Sequence, residues 1–128
     1  MILTDEVVVV TGIGAGMGAK LSARIAAEGG RVVMVSRSTD VMEGVQKEIE
    51  AAGGEALCVP ANVVKEEDCA RVAAAAVERF GKITGLVNSA YAHPGFHDLL
   101  DTPDKALRRS MDVVFFGALN MTRAVVPH

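Results

Sequence analysis

Cysteine is scarce in this sequence. Cys58 and Cys69 stand alone, too few and too separated for a zinc site or a disulfide framework, and they read as reduced thiols of a cytosolic protein. An excess of positive charge is also missing. The formal net charge is −3, which gives no electrostatic case for nucleic acid or for an anionic membrane surface. No apolar run approaches the roughly 18 residues of a membrane span, and the opening Met1-Ile2-Leu3-Thr4-Asp5-Glu6 lacks the basic start of a signal peptide. The expectation is a cytoplasmic protein with no bound metal. Its 128 residues, half of them apolar, suffice for one domain, residues 1–128, with a real core.

What the sequence does have is glycine, concentrated in Thr11-Gly12-Ile13-Gly14-Ala15-Gly16-Met17-Gly18. The stretch follows a β-branched run at 7–10, which reads as a buried strand, and leads into a helix-like segment at 19–27. A turn of bare backbone between strand and helix lets a phosphate approach the main chain closely. The helix then offers that phosphate its free N–H groups and the positive end of its dipole. A P-loop requires Gly-Lys-Ser/Thr at the helix start; Gly18-Ala19-Lys20-Leu21 stands here instead. The pattern G-x-G-x-x-G/A can be forced onto Gly14, Gly16 and Ala19 but leaves Thr11-Gly12 unexplained. The pattern T-G-x-x-x-G-x-G fits Thr11, Gly12, Gly16 and Gly18 directly. Thr11, Gly12, Gly16, Met17 and Gly18 are therefore candidate phosphate-loop residues.

The remaining chain repeats the theme. Apolar runs recur at 32–35, 56–59 and 83–87, each after a helix-like segment closed by glycine: Gly29-Gly30, Gly53-Gly54 and Gly81. Helix starts are marked by Ser38-Thr39-Asp40 and Glu66-Glu67-Asp68. Cys69, Val72, Ala73, Ala76, Val77 and Phe80 share one helical face. Strands alternating with helices of this length give a parallel sheet with right-handed crossovers, a doubly wound Rossmann-type α/β fold whose first strand–helix turn is the phosphate site. After the fourth strand, residues 88–95 read as a loop. Thr102-Pro103-Asp104 then reads as cap, N1 proline and first-turn acid of a last helix. Leu107, Met111, Val114, Ala118, Met121 and Val125 form its apolar stripe. Phe115, Phe116 and Leu119 widen that surface beyond what one sheet face needs, so a partner or more chain is expected to cover it.

Twenty residues after Gly16 the second strand ends at Ser36-Arg37. A site reading the ribose 2′-hydroxyl of NAD normally places a carboxylate there, whereas an arginine suits a 2′-phosphate. Ser36 brings no carboxylate, and Arg37 can neutralise a phosphate in a fork geometry. NADP is the expected cofactor, with NAD second. The absent acid also counts against a methyltransferase that binds S-adenosylmethionine.

These residues together resemble the short-chain dehydrogenase/reductase family. Thr11-Gly12-x-x-x-Gly16-x-Gly18 is similar to its cofactor loop, Asn88-Ser89-Ala90-Tyr91 to its Asn-Asn-Ala-Gly segment, and Met111-Asp112-Val113-Val114-Phe115-Phe116-Gly117 to its helix carrying Asp-Val-Asn. The resemblance spans the whole sequence but only about the first half of a typical member. It implies a sheet of order 3-2-1-4, truncated before the later strands. It also implies that Asn62 and Val63 flank the adenine, though the family usually has Asp where Asn62 stands, and that Asn88 and Ala90 line the nucleotide.

The resemblance further implies hydride transfer between nicotinamide and a carbonyl or alcohol. That chemistry uses a Ser, a Tyr-x-x-x-Lys pair in which the lysine lowers the tyrosine pKa, and an Asn on the last helix. Tyr91 is the one tyrosine, and Gly95 rather than Lys stands four residues on; Tyr91 is not that acid. Val114 occupies the Asn position. His93 and His97 lack a positioned partner and read as surface residues, so no catalytic residue is assigned. The Ser, Tyr and Lys are expected beyond His128. Three readings stay open: the cofactor half of an NADP-dependent oxidoreductase, a non-catalytic nucleotide-binding or scaffolding protein, or one half of a split enzyme. A homo-oligomer or a completing C-terminal half is the expected partner.

Overall fold

The computed structural model describes residues 1–128. Val7-Val8-Val9-Val10-Thr11 forms β1 (Val7–Thr11), with all five residues buried, as β-branched side chains are when a strand is covered on both faces. β1 pairs in parallel with β2 (Arg31–Ser36) on one side and β4 (Gly85–Asn88) on the other, and β3 (Ala56–Pro60) lies outside β2. The order β3-β2-β1-β4 is the expected doubly wound arrangement. Crossovers run through α1 (Met17–Ala27), α2 (Asp40–Ala51) and α3 (Glu66–Phe80). The register sets Thr11 beside both Val35 and Asn88, so β1, β2 and β4 end at one level. The strand order reverses between β1 and β4, and a crevice outside the carboxyl ends of the strands is expected at that point.

Successive residues of each strand serve opposite faces. Val8, Val10, Val32 and Met34 join Ile25 of α1 and Met42 and Ile49 of α2 in one core cluster. Val7, Val9, Val33 and Val35 join Val72, Ala76 and Phe80 of α3 in the other. The stripe read on the third helix is buried at Cys69, Val72, Ala73, Ala76 and Phe80. Gly81 closes that helix in the left-handed conformation, φ 83°, which an L side chain rarely adopts. Burial pushes the Cys69 thiol pKa up to about 11, with the carboxylates of Asp68, Glu66 and Glu67 adding to it, so the thiol stays protonated at neutral pH.

After β4 the chain runs irregularly to a short 3-10 turn (Leu99–Asp101) and then to a long helix in three parts: α4 (Asp104–Met111), a π-helical segment (Asp112–Gly117) and α5 (Ala118–Val125). α5 packs on α3 and β4, and its Met121 and Val125 are buried in the second cluster. The first half of the apolar stripe behaves otherwise. Leu107, Met111 and Val114 are exposed, Phe115 is 56% exposed, and α4 buries no residue.

Several local expectations shift. α1 begins at Met17 rather than 19, taking Gly18 into its first turn. β4 is confined to Gly85–Asn88; just before it, Thr84 still donates its amide to the Val7 carbonyl at 2.8 Å, but the Val7 amide is accepted by the Thr84 hydroxyl, also at 2.8 Å, rather than by a main-chain carbonyl. At the start of α4, Thr102 is not the cap. Its hydroxyl donates to the Asp98 carbonyl at 2.9 Å, closing the 3-10 turn, and Pro103 occupies the cap position. The first-turn acids of α3 do act locally: Asp68 accepts the Asn62 amide at 2.8 Å, and that hydrogen bond holds its carboxyl below the usual carboxylate range.

Candidate functional site

β1 delivers the chain into the glycine loop, and the loop is shaped by two close approaches. Gly12 has φ 78°, and a Cβ there would lie 2.6 Å from the Ala90 backbone; only a bare residue lets the loop and the β4 exit pass each other. Gly18 packs its Cα side against the carbonyl of Gly12 with no room for a side chain. Two of the three glycines of the pattern are thus packing residues. Gly16, and Gly14 beside it, are different: a Cβ at either would meet nothing within 4 Å. They face open space, and Gly14 also lines the groove described below.

The helix beyond them is ready for an anion. The amides of Ala15, Gly16, Met17, Gly18 and Ala19 find no main-chain acceptor, as the first turn of a helix leaves them. The first turn of α1 contains no acidic residue to compensate the dipole. The bare loop, open glycine positions and unpaired amides fit the pyrophosphate of a dinucleotide.

A groove of about 670 Å³ runs from this loop across the strand ends. Six of the expected binding residues line it: Gly12, Ser36, Arg37, Asn62, Val63 and Ala90. Arg37 is exposed and takes part in none of the ion pairs. Asn62 folds its side chain back on its own turn, its Oδ1 accepting the Val64 amide at 3.1 Å, which fixes the β3–α3 turn that forms the groove wall.

The other expected residues have different employment. Thr11 is only 1% exposed. Its hydroxyl accepts the amides of Ser89 and Ala90, both at 3.2 Å, and donates to the Val87 carbonyl, so it fastens the β4 exit loop to β1 and positions Ala90. Asn88 turns toward α5, donating to the Thr122 hydroxyl at 3.4 Å. Met17 stands in solvent on the first turn of α1. Tyr91 and His93 reach the groove rim, Tyr91 at 75% exposure. His93 accepts the Gly95 amide on Nδ1 at 3.0 Å, and its ring lies against Phe96; His97 is not among the lining residues.

The far wall comes from the long helix, whose 111–117 stretch the resemblance had singled out, though nothing there announced Arg109. Arg109, Asp112 and Val113 line the groove. The helix is fastened by Asn120, whose Nδ2 donates to the Val63 and Val64 carbonyls at 3.0 and 3.4 Å, and by Gly117, whose missing side chain admits Val63. Val114, at the family's Asn position, is 49% exposed and has no proton to give. No three His, Cys, Asp or Glu side chains gather as a metal site would need, and no helix is long and apolar enough to cross a membrane.

Similar proteins carry the same architecture. The chain is 37% identical over 127 residues to the uncharacterized oxidoreductase YxnA of Bacillus subtilis, covering 98% of this chain and 35% of that one. NAD+-bound xylitol dehydrogenase superposes with a TM-score of 0.91 at 27% identity, over 96% of this chain and 47% of that one. A metagenomic short-chain oxidoreductase in complex with NADP superposes with a TM-score of 0.90 at 28% identity, over 99% and 57%. The chain thus spans between about a third and somewhat over half of these proteins. The model of the short chain dehydrogenase family matches residues 6–128, and to that family this chain belongs.

Proposed function

We propose that these residues form the cofactor half of an NADP-preferring oxidoreductase that moves a hydride between nicotinamide and a carbonyl or alcohol carbon. The observation that carries it is Arg37: a guanidinium without an ion-pair partner on the groove wall, beside Ser36 where an NAD site would place a carboxylate. Gly14 and Gly16 leave the pyrophosphate room, and the amides of Ala15 to Ala19 supply its donors. Asn62, Val63 and Ala90 form the bed of the adenosine, with Thr11 holding Ala90 in place. Nicotinamide, when bound, supplies or accepts the hydride. The proton that accompanies hydride transfer needs a donor, and the 128 residues hold no Tyr-x-x-x-Lys pair. A cytoplasmic setting accords with the two reduced cysteines.

Calorimetry of the purified protein with NADPH and NADH tests this. NADPH is expected to bind more tightly, and Arg37→Ala to remove most of the difference, a charge-assisted contact contributing about 1.5–3 kcal/mol. Gly16→Val is expected to abolish binding of both while leaving helix content unchanged, since its side chain would meet only the ligand. Equal affinities in the unmutated protein overturn the NADP preference, and binding that survives Gly16→Val overturns the loop assignment.

Val114 favours a second reading. An apolar side chain at the position matching the catalytic Asn suits a protein that binds the dinucleotide without turning it over. The 128 residues alone turn nothing over under either reading; adding a separate segment that carries Ser and Tyr-x-x-x-Lys separates the two, turnover of a carbonyl or alcohol panel supporting the first and continued binding without turnover the second.

A further inference from the structure

The two arginines on the groove sit on opposite walls and in different company. Arg37 follows β2. Arg109 comes from α4, a turn of helix above Val113, which itself lines the groove with Asn62 and Val63. Neither arginine takes part in an ion pair, and Asp112, only three residues on, does not come within 4.0 Å of the Arg109 guanidinium. An uncommitted guanidinium over a groove is either a phosphate reader or a planar cation for an aromatic face. The neighbourhood decides between them. Asp112 is the one acidic side chain among the lining residues, and it shares the wall with Arg109. A carboxylate there offsets the positive potential that a doubly charged phosphate would need, and leaves the attraction for a neutral ring largely intact. Arg37 has no such neighbour in the groove.

We infer that Arg109 is an adenine clamp, its guanidinium lying over the base's outer face while Asn62 and Val63 hold the other side. The assignment rests on the dinucleotide reading above and adds to it a residue that binds both cofactors alike. Arg37 discriminates between NADP and NAD; Arg109 does not. Because Arg109 is exposed and α4 buries no residue, its replacement leaves the fold intact.

The experiment measures dissociation constants for NADPH, NADH, 2′,5′-ADP and 5′-AMP with the unmutated protein, Arg109→Ala, Arg109→Lys and Arg37→Ala. Arg109→Ala is expected to weaken all four by a similar factor, about two- to fivefold for an exposed cation over a ring. Arg109→Lys keeps the charge but not the plane and recovers only part of the loss. Arg37→Ala weakens NADPH and 2′,5′-ADP alone. If Arg109→Ala leaves NADH and 5′-AMP within twofold, the clamp is wrong while the Arg37 result still supports the cofactor site. If it weakens only the two 2′-phosphate ligands, Arg109 is a phosphate reader and the clamp is again wrong. If the unmutated protein binds none of the four, the cofactor reading itself falls and takes the clamp with it.

Discussion

Thr11 and Ser89 exchange hydrogen bonds in both directions: the Ser89 amide donates to the Thr11 hydroxyl at 3.2 Å, and the Ser89 hydroxyl donates to the Thr11 carbonyl. The Ala90 amide shares the same threonine oxygen. One buried hydroxyl therefore satisfies two amides of the loop that leaves β4. Thr11→Val keeps the shape and removes the acceptor, so it is expected to destabilise by about 1–3 kcal/mol and to loosen the loop around Ala90. Urea unfolding checks the first effect, and amide exchange at Ser89 and Ala90 the second. Thr11→Ser retains the hydroxyl and is expected to stay closer to the unmutated protein.

Gly117 and Val63 meet where the long helix crosses the β3–α3 turn. A Cβ on Gly117 would lie 2.5 Å from Val63 Cγ2, so Gly117→Ala is expected to destabilise by about 1–3 kcal/mol through overpacking, despite alanine's better helix propensity. In a Val63→Ala background most of that penalty should vanish. A double-mutant cycle by thermal unfolding reads the coupling; additive effects would show that the helix is not seated on Val63.

The fold's alternation of strands and helices was legible because its signals are local. Valine runs, glycines past helix ends and the stripe on α3 each declare themselves within a few residues. The site was only half legible. The pattern Thr11-Gly12-x-x-x-Gly16-x-Gly18 located the loop, but spacing cannot distinguish a glycine that faces open space, such as Gly16, from one pressed against its own chain, such as Gly12 or Gly18. Asp112 and Val113 stand in a stretch the resemblance had already singled out, but Arg109, which lines the groove, and Asn120, which fastens the helix to the Val63 carbonyl, come from far along the chain with nothing in their neighbouring residues to mark them. Thr102 misled for a related reason: two hydrogen-bonding roles were open to its hydroxyl, and the Asp98 carbonyl took it.

Asp68 carries a pH signature. The Asn62 amide, followed by Arg71 beside it, holds its carboxyl below the ordinary 3.8. A depressed folded-state pKa stabilises fully above the unfolded value and loses that contribution as pH falls through the folded one. Asp68→Asn should therefore lower the melting temperature modestly at pH 6, with the gap to the unmutated protein closing below about pH 4. A gap that stays constant down to pH 2 would mean that the Asp68–Asn62 contact does not depend on charge.

Residues 1–128 alone should associate and should not reduce carbonyls. β4 is the sheet's outer strand, with one side unpaired, and Met111, Val114, Phe115 and Phe116 are exposed on the long helix. Light scattering is expected to give a dimer or larger species. An assay with NADPH is expected to give no turnover, there being no Tyr-x-x-x-Lys pair to supply the proton. A clean monomer at high concentration overturns the first expectation; turnover lost on replacing His93 or Tyr91 overturns the second.

The long helix is a cantilever. Its α5 end is clamped by Met121, Val125 and the Asn120 hydrogen bonds, whereas α4 projects beyond the last anchored turn with no buried residue. Bending is therefore expected to concentrate at the π-helical segment, between α4 and the packed Val113 and Gly117. Amides of α5 should exchange only with global unfolding, and those of α4 through far shallower openings. The span between Arg37 and Arg109 is thus set by a rigid strand end on one side and a sprung arm on the other. Any change that stiffens the joint at Gly117 alters the reach of an arginine two turns away.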